Sequence, residues 1–389
     1  EVQYLDDAQA RVALRLKPGH QVVKGPPGSG KTLVLVHRCA HLVRYHPERK
    51  RILLVCFNIA LVSYLKRLVQ EKGLGLGKDG VQVCHFFELC SQVLEDRIPY
   101  ENEDSDFYEL VTQEALSRAE GDDCGVAPFD AILVDEGQDF NGDMLRVLLA
   151  LLRPGGDLVI AQDSHQDLYM RRASWRSLGI QAKGRTTRLK KVYRNTVEIF
   201  DFAQRFLGEA PEDRKQLVLL PEGFAFHGEE PEIRGFADME ELFAFLVEDL
   251  EAALKSKEYK RSEIGVVYDD KAYRPGSFAY EDRSLPVRLL DQLDRAGIPA
   301  AWVSQDVRAK ELFDITTDRV SVVSVHSAKG LDFDLVYLVG MDHMQPTEET
   351  WGSALSLLYV AMTRAKYRLV IPYVEETELI QRMKRALSD

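Results

Sequence analysis

Cysteine is scarce in this chain: five among 389 residues, with no C-x-x-C pair. Cys39, Cys56, Cys84, Cys90 and Cys124 sit mostly in apolar runs, so neither a zinc site nor a disulfide framework is expected, and a reducing compartment fits. No stretch approaches the roughly eighteen consecutive apolar residues of a membrane span, and no signal peptide precedes the first element. The expectation is a cytoplasmic protein with no membrane partner. Positive charge is also in deficit, 50 basic against 62 acidic residues for a net charge of −12, which rules out a uniformly basic nucleic-acid binder but not a local basic groove. An initiating methionine is missing as well, and Glu1 in its place reads as the start of a piece trimmed from something longer.

What is present begins with Gly25-Pro26-Pro27-Gly28-Ser29-Gly30-Lys31-Thr32, the spacing of a phosphate-binding loop. A β-branched strand (His20 to Lys24) precedes it, and a helical pattern (Leu33 to Tyr45) follows. Glycines let backbone N–H groups turn onto phosphate oxygens, Lys31 supplies a point charge for the β/γ-phosphates, and Thr32 offers its hydroxyl to Mg2+. With 45 % hydrophobic residues the chain can bury two ordinary cores, and two domains are expected.

Upstream, Gln9 lies on a short helical stretch, where its amide either reads an adenine edge or simply faces solvent. Two buried-strand runs, Arg51 to Phe57 and Val81 to Cys84, end in Phe57-Asn58 and His85-Phe86. Such aromatics suit base stacking, or equally a core position at a strand end. An acidic, polar stretch from Ser91 to Pro128 reads as a small surface insertion around one helical patch. The strand FDAILV then delivers Asp135 and Glu136 at its carboxyl end, dividing into a magnesium ligand and a group that polarises the attacking water. A third strand, Asp157 to Ala161, leads to Gln166, placed to sense the γ-phosphate. Beyond it Arg171, Arg172, Arg176, Lys183, Arg185, Arg188, Lys190, Lys191 and Arg194, interleaved with Trp175 and Tyr193, form either a track for single-stranded nucleic acid or a solvated basic face. The second half repeats the α/β alternation without a second phosphate loop. Helices are expected at Val197–Leu207, Met239–Leu254 and Leu285–Ala296, with strands at Glu263–Tyr268, Ala300–Val303, Val320–Val325, Leu335–Gly340 and Tyr367–Tyr373.

Taken in order, LDDAQ, GPPGSGKT, ILLVCFN, VCHFFEL, ILVDEGQDF, QDSHQDLYMRRA, VYRNT, VHSAKGLDFDLVYLVG and LLYVAMTRAKYRLVI resemble the UvrD/Rep branch of superfamily 1 helicases nearly end to end. The resemblance implies an α/β fold of two RecA-like P-loop NTPase domains with parallel sheets and a nucleotide cleft between them: residues 1–188 with an insertion at 91–128, and residues 189–389 with a very short one at 304–318. It implies ATP and Mg2+, with Thr32 and Asp135 as metal ligands and Glu136, Gln166, Arg194 and Arg364 as catalytic residues. Gln9, residues 25–32 (Gly25, Pro26, Pro27, Gly28, Ser29, Gly30, Lys31, Thr32), Tyr193, Gly330 and Asp332 would bind nucleotide. Phe57, Asn58, His85, Phe86, Tyr169, Arg172 and His326 would line the path of single-stranded DNA.

Three positions depart from the family pattern. Gln162 stands for a glycine, Arg171 for a stacking aromatic, and Ser353 to Ser356 (SALS) for an acidic pair. The short insertions are also similar to the motor part of helicases fused to an N-terminal nuclease-like domain. The implied function is an ATP-dependent single-stranded DNA translocase or helicase, 3′ to 5′. The alternative is a regulatory or remodelling ATPase acting on a protein partner, a nuclease or RNA polymerase, with a missing N-terminal domain or such a partner supplying the remainder.

Overall fold

The computed structural model describes residues 5–14, 19–77, 80–98, 105–121, 124–163, 177–208, 226–269 and 284–388. They form two units, Glu1–Lys191 and Val192–Asp389, and in each the described strands pair into a six-stranded, wholly parallel sheet.

The first unit runs α1 (Asp7–Leu14), β1 (His20–Gly25), α2 (Lys31–Tyr45), β2 (Ile52–Cys56), α3 (Ile59–Glu71), β3 (Val81–His85), α4 (Phe86–Leu94), α5 (Ser105–Glu120), β4 (Phe129–Val134), α6 (Gly142–Ala150), β5 (Leu152–Asp163) and β6 (Thr186–Arg188). Every residue of β2 and β4 is buried, because helices cover both faces of a parallel sheet and each face then demands apolar side chains. Alternation sorts them into two cores. Val22, Leu53, Ile132 and Ile160 face one way, and Val23, Leu54, Leu133 and Val159 the other. The strand order β3-β2-β4-β5-β1-β6 places the carboxyl ends of β4, β5 and β1 side by side. That edge is where an open α/β sheet binds ligands.

Two expectations change here. β5 begins at Leu152 rather than Asp157, because Phe129 pairs with Leu152 across a register shift. The stretch 91–128 is not only surface: Val111, Ala115 and Val126 join the first core face, and the Tyr108 ring lies 4.6 Å from that of Phe87. The helical patch is present as expected, and what the acidic composition hid is its apolar stripe facing the core.

The second unit runs α7 (Val197–Leu207), β7 (Glu232–Gly235), α8 (Met239–Lys255), β8 (Ile264–Tyr268), α9 (Leu285–Arg295), β9 (Ala300–Trp302), α10 (Val307–Leu312), β10 (Val320–Ser324), β11 (Phe333–Val339), α11 (Trp351–Met362), β12 (Ala365–Tyr373) and α12 (Glu378–Ser388), in sheet order β7-β12-β11-β8-β10-β9. The edge strand β7, EIRG, has no buried residue and so carries no apolar run to announce it.

Candidate nucleotide site and strand-contact residues

The loop between β1 and α2 turns on Gly28 (φ 74°) and Gly30 (φ 79°), left-handed positions that a side chain would strain. A Cβ on Gly30 would also meet Gln9 Nε2 at 2.5 Å. Lys31 Nζ donates to the carbonyls of Gly25 and Pro26, both at 3.0 Å, and stands 3.9 Å from the Asp163 carboxylate. The Ser29 hydroxyl is fully buried with no hydrogen-bond partner among the described residues. Left-handed glycines, an unpaired hydroxyl and the amino end of the fifteen-residue α2 together fit a phosphate group.

Gln9 is buried and committed to the loop. Asp6 N donates to its Oε1 at 2.9 Å and its own N to Asp6 Oδ1 at 2.7 Å, a reciprocal cap on α1, while its Nε2 donates to the Ser29 carbonyl at 3.0 Å.

At the end of β4, the Thr32 hydroxyl donates to Asp135 Oδ2 at 2.7 Å. Burial pushes the Asp135 carboxyl up to about 7, the neighbouring Glu136 charge adding to the rise against the Thr32 hydrogen bond and the Lys31 charge. A divalent cation beside Thr32 and Asp135 would offset that desolvation, so hydroxyl and carboxylate suit Mg2+. Glu136 takes φ 50°, unusual for a residue with a side chain. Sequence reasoning missed Gln138, which is buried. Its Nε2 donates to Glu136 Oε2, and its Oε1 accepts from Asp163 N at 2.9 Å. The only signal was an amide two places beyond the acid in DEGQD.

In the second unit the structure brings together three expected residues. Asp332 Oδ2 pairs with Arg194 Nε at 2.7 Å, and Asp332 Oδ1 lies 3.6 Å from Arg364. Arg364 is buried, donating to the carbonyls of Val360 and Leu331. Beside Arg194, the buried Asn195 donates to the carbonyls of Thr363 and Ala365, one on each side of Arg364. Gly330 is left-handed (φ 83°), and Tyr193 is half-buried.

The strand-path residues divide. Phe57 is 37 % exposed and lies in edge-type contact with Phe87 and Phe140. Asn58 caps α3 by accepting from Ala60 N at 3.1 Å. His326 is exposed. Phe86 corrects the expectation: it is fully buried in the core with no ring surface for stacking. His85 does too, being 3 % exposed with Nδ1 accepting from Glu88 N at the start of α4. β3 passes straight into α4, which turns both side chains inward. Burial, with the Lys66 charge adding, holds the His85 imidazole down at about 4, so it is neutral. Gln166, Tyr169, Arg171 and Arg172 lie outside the described residues.

Residues 303–376 match the family described as the UvrD-like helicase C-terminal domain, and residues 8–172 match an AAA domain family. Among solved structures, the C-terminal domain of a possible DNA helicase from Lactobacillus plantarum WCFS1 is similar at 21 % identity, over 50 % of this chain and 96 % of its own, with a TM-score of 0.33. No curated protein matches the chain. No helix among the described residues is long and apolar enough to cross a membrane.

Proposed function

We propose that this chain, which belongs to the UvrD-like helicases, hydrolyses ATP to move along single-stranded DNA in the 3′ to 5′ direction. The observation that carries the reading is the convergence of the phosphate loop, the Thr32–Asp135 pair and Glu136 on one sheet edge. Lys31 exchanges its two carbonyl acceptors for phosphate oxygens, a trade of neutral partners for a charged one that favours the bound state. Thr32 and Asp135 would hold Mg2+, whose charge neutralises the β/γ-phosphate oxygens. Glu136 orients the attacking water and receives its proton. Arg194 and Arg364 supply the arginine fingers, with Gln166 sensing the γ-phosphate. Gln9 reads adenine by exchanging its bond to Ser29, Tyr193 stacks on the base, and Asp332 meets the ribose.

On the DNA side, Phe57 offers the stacking surface, while Asn58, Tyr169, Arg172 and His326 complete the path. The basic residues from Lys183 to Lys191 hold the phosphates. One observation favours the alternative of a motor working on a protein partner: residues 304–318 provide only the six-residue α10, little surface for gripping a duplex. The two readings separate by experiment. Turnover stimulated by single-stranded DNA, with stepping past a fluorescent 3′ or 5′ end label, supports the translocase and gives its direction. ATP hydrolysis indifferent to DNA overturns it.

A further inference from the structure

We propose that Gln138 is the positioning residue that aims the Glu136 carboxylate, fixing it through the backbone of β5; this rests on the reading of Glu136 as the group that receives the water proton. The geometry begins with the turn after β4. Glu136 sits at φ 50° immediately before the short 3-10 turn Gly137–Asp139, so its side chain leaves the backbone from a conformation that local propensity does not favour. Gly137 allows the turn to lie against β5, since a Cβ there would meet Ile160 Cγ2 at 2.4 Å. Gln138 follows, and its amide folds back over the turn.

Which end of that amide faces which neighbour is not arbitrary. The backbone N–H of Asp163 is a donor and requires an acceptor, so the amide oxygen points at Asp163 and the NH2 at Glu136. An amide satisfies both neighbours at once, whereas a carboxylate or a hydrocarbon fails at least one. Its donor on Glu136 Oε2 fixes that side of the carboxylate and so sets the direction in which the group points. Because Gln138 is 2 % exposed, little water competes for either bond. β5 is a firm anchor: Leu158 to Ile160 pair with β4, and Leu158 to Asp163 with β1. Gly25, the first residue of the phosphate loop, lies opposite Asp163 in that register. Gln138 therefore ties the catalytic acid to the same strand that registers the loop, which is what a base needs if it is to stand at a fixed distance from the γ-phosphate.

The test uses the full chain with Gln138→Glu and Gln138→Met. Gln138→Glu keeps the acceptor for Asp163 N–H but replaces the donor to Glu136 with a second carboxylate facing it; Gln138→Met loses both bonds without adding charge. Each is expected to lower DNA-stimulated kcat about 10- to 100-fold while the affinity for a fluorescent ADP analogue changes less than about threefold. Thermal denaturation should show a loss for both, since Gln138→Met leaves Asp163 N–H unpaired and Gln138→Glu sets a buried carboxylate against that of Glu136. In a Glu136→Gln background the same changes should leave the residual single-turnover rate nearly unaltered, because a residue acting through Glu136 has nothing left to aim. Full kcat in either variant, or equal losses in both backgrounds, overturns the proposal. Glu136→Gln that turns over like the parent chain overturns the role of Glu136 itself. An inactive Glu136→Gln beside fully active Gln138 variants overturns only the positioning.

Discussion

Arg194 and Asp332 form an ion pair of 2.7 Å, and the same carboxylate stands 3.6 Å from Arg364. One acid thus gathers two arginines contributed by separate stretches of sequence. Asn195 reinforces the arrangement by bonding the carbonyls on both sides of Arg364. If both arginines act on the transition state, Arg194→Ala and Arg364→Ala should each lower kcat by about 10²-fold or more with a smaller change in nucleotide affinity. Equal losses in affinity and rate, measured by nucleotide titration beside steady-state turnover, would make them ground-state ligands instead.

The phosphate loop and its acids should separate binding from chemistry. Lys31→Ala is expected to remove most ATP binding, since its charge is the one the loop presents to the β/γ-phosphates. Glu136→Gln should still bind ATP, because Thr32 and Asp135 are untouched, and should lose hydrolysis. Equilibrium binding of a fluorescent ATP analogue together with phosphate release checks both, and brisk phosphate release from Glu136→Gln would remove it from the mechanism.

His85 gives a pH dependence of stability with a definite sign. Its folded pKa is about 4, below the ordinary imidazole value of 6.5, so the unfolded chain takes up its proton first as pH falls. Stability is therefore full above the unfolded pKa and is lost through the window from about 6.5 to 4, by about 2 kcal/mol between pH 7 and pH 5. Urea midpoints of the parent chain and of His85→Asn, which keeps a capping acceptor without a titrating ring, should converge as pH is lowered. An unchanged gap between them would show that His85 is already protonated or does not stay buried.

Strand separation should be weak even where translocation is fast. A motor opens a duplex only by distorting or blocking the junction, and each base-pair step costs on average about 1.4 kcal/mol to unstack. The insertion at 91–128 spends apolar side chains on the core of its own unit, and the one at 304–318 carries a single short helix. Unwinding by this chain alone is expected only for short duplexes with a 3′ single-stranded tail. Single-turnover unwinding against duplex length, set beside the translocation rate, is the decisive comparison, and efficient opening of long duplexes would refute the expectation.

The sequence by itself determined the buried elements and their order. Buried runs such as ILLVC and FDAILV have no polar face to offer solvent, so they could only be central strands of a covered parallel sheet. The loop Gly25 to Thr32 and the acids Asp135 and Glu136 were legible for a related reason: their chemistry depends on residue type and local spacing, both written in one dimension. Tertiary structure decided what those side chains touch. Phe57 and Phe86 end adjacent strands and look alike in sequence, yet one is exposed and the other is core, because only the second enters a helix packed on the sheet. Gln138 and Asn195 were quoted within motifs without a role, since an amide acquires one only from the donors and acceptors that folding sets around it. Asp163 ends β5 and Glu136 follows β4, the strand beside it; Thr363 and Ala365 are far along the chain from Asn195. Hydrogen bonds reach about 3 Å, and no local pattern of residues specifies which distant atoms the packed sheet will bring within that distance.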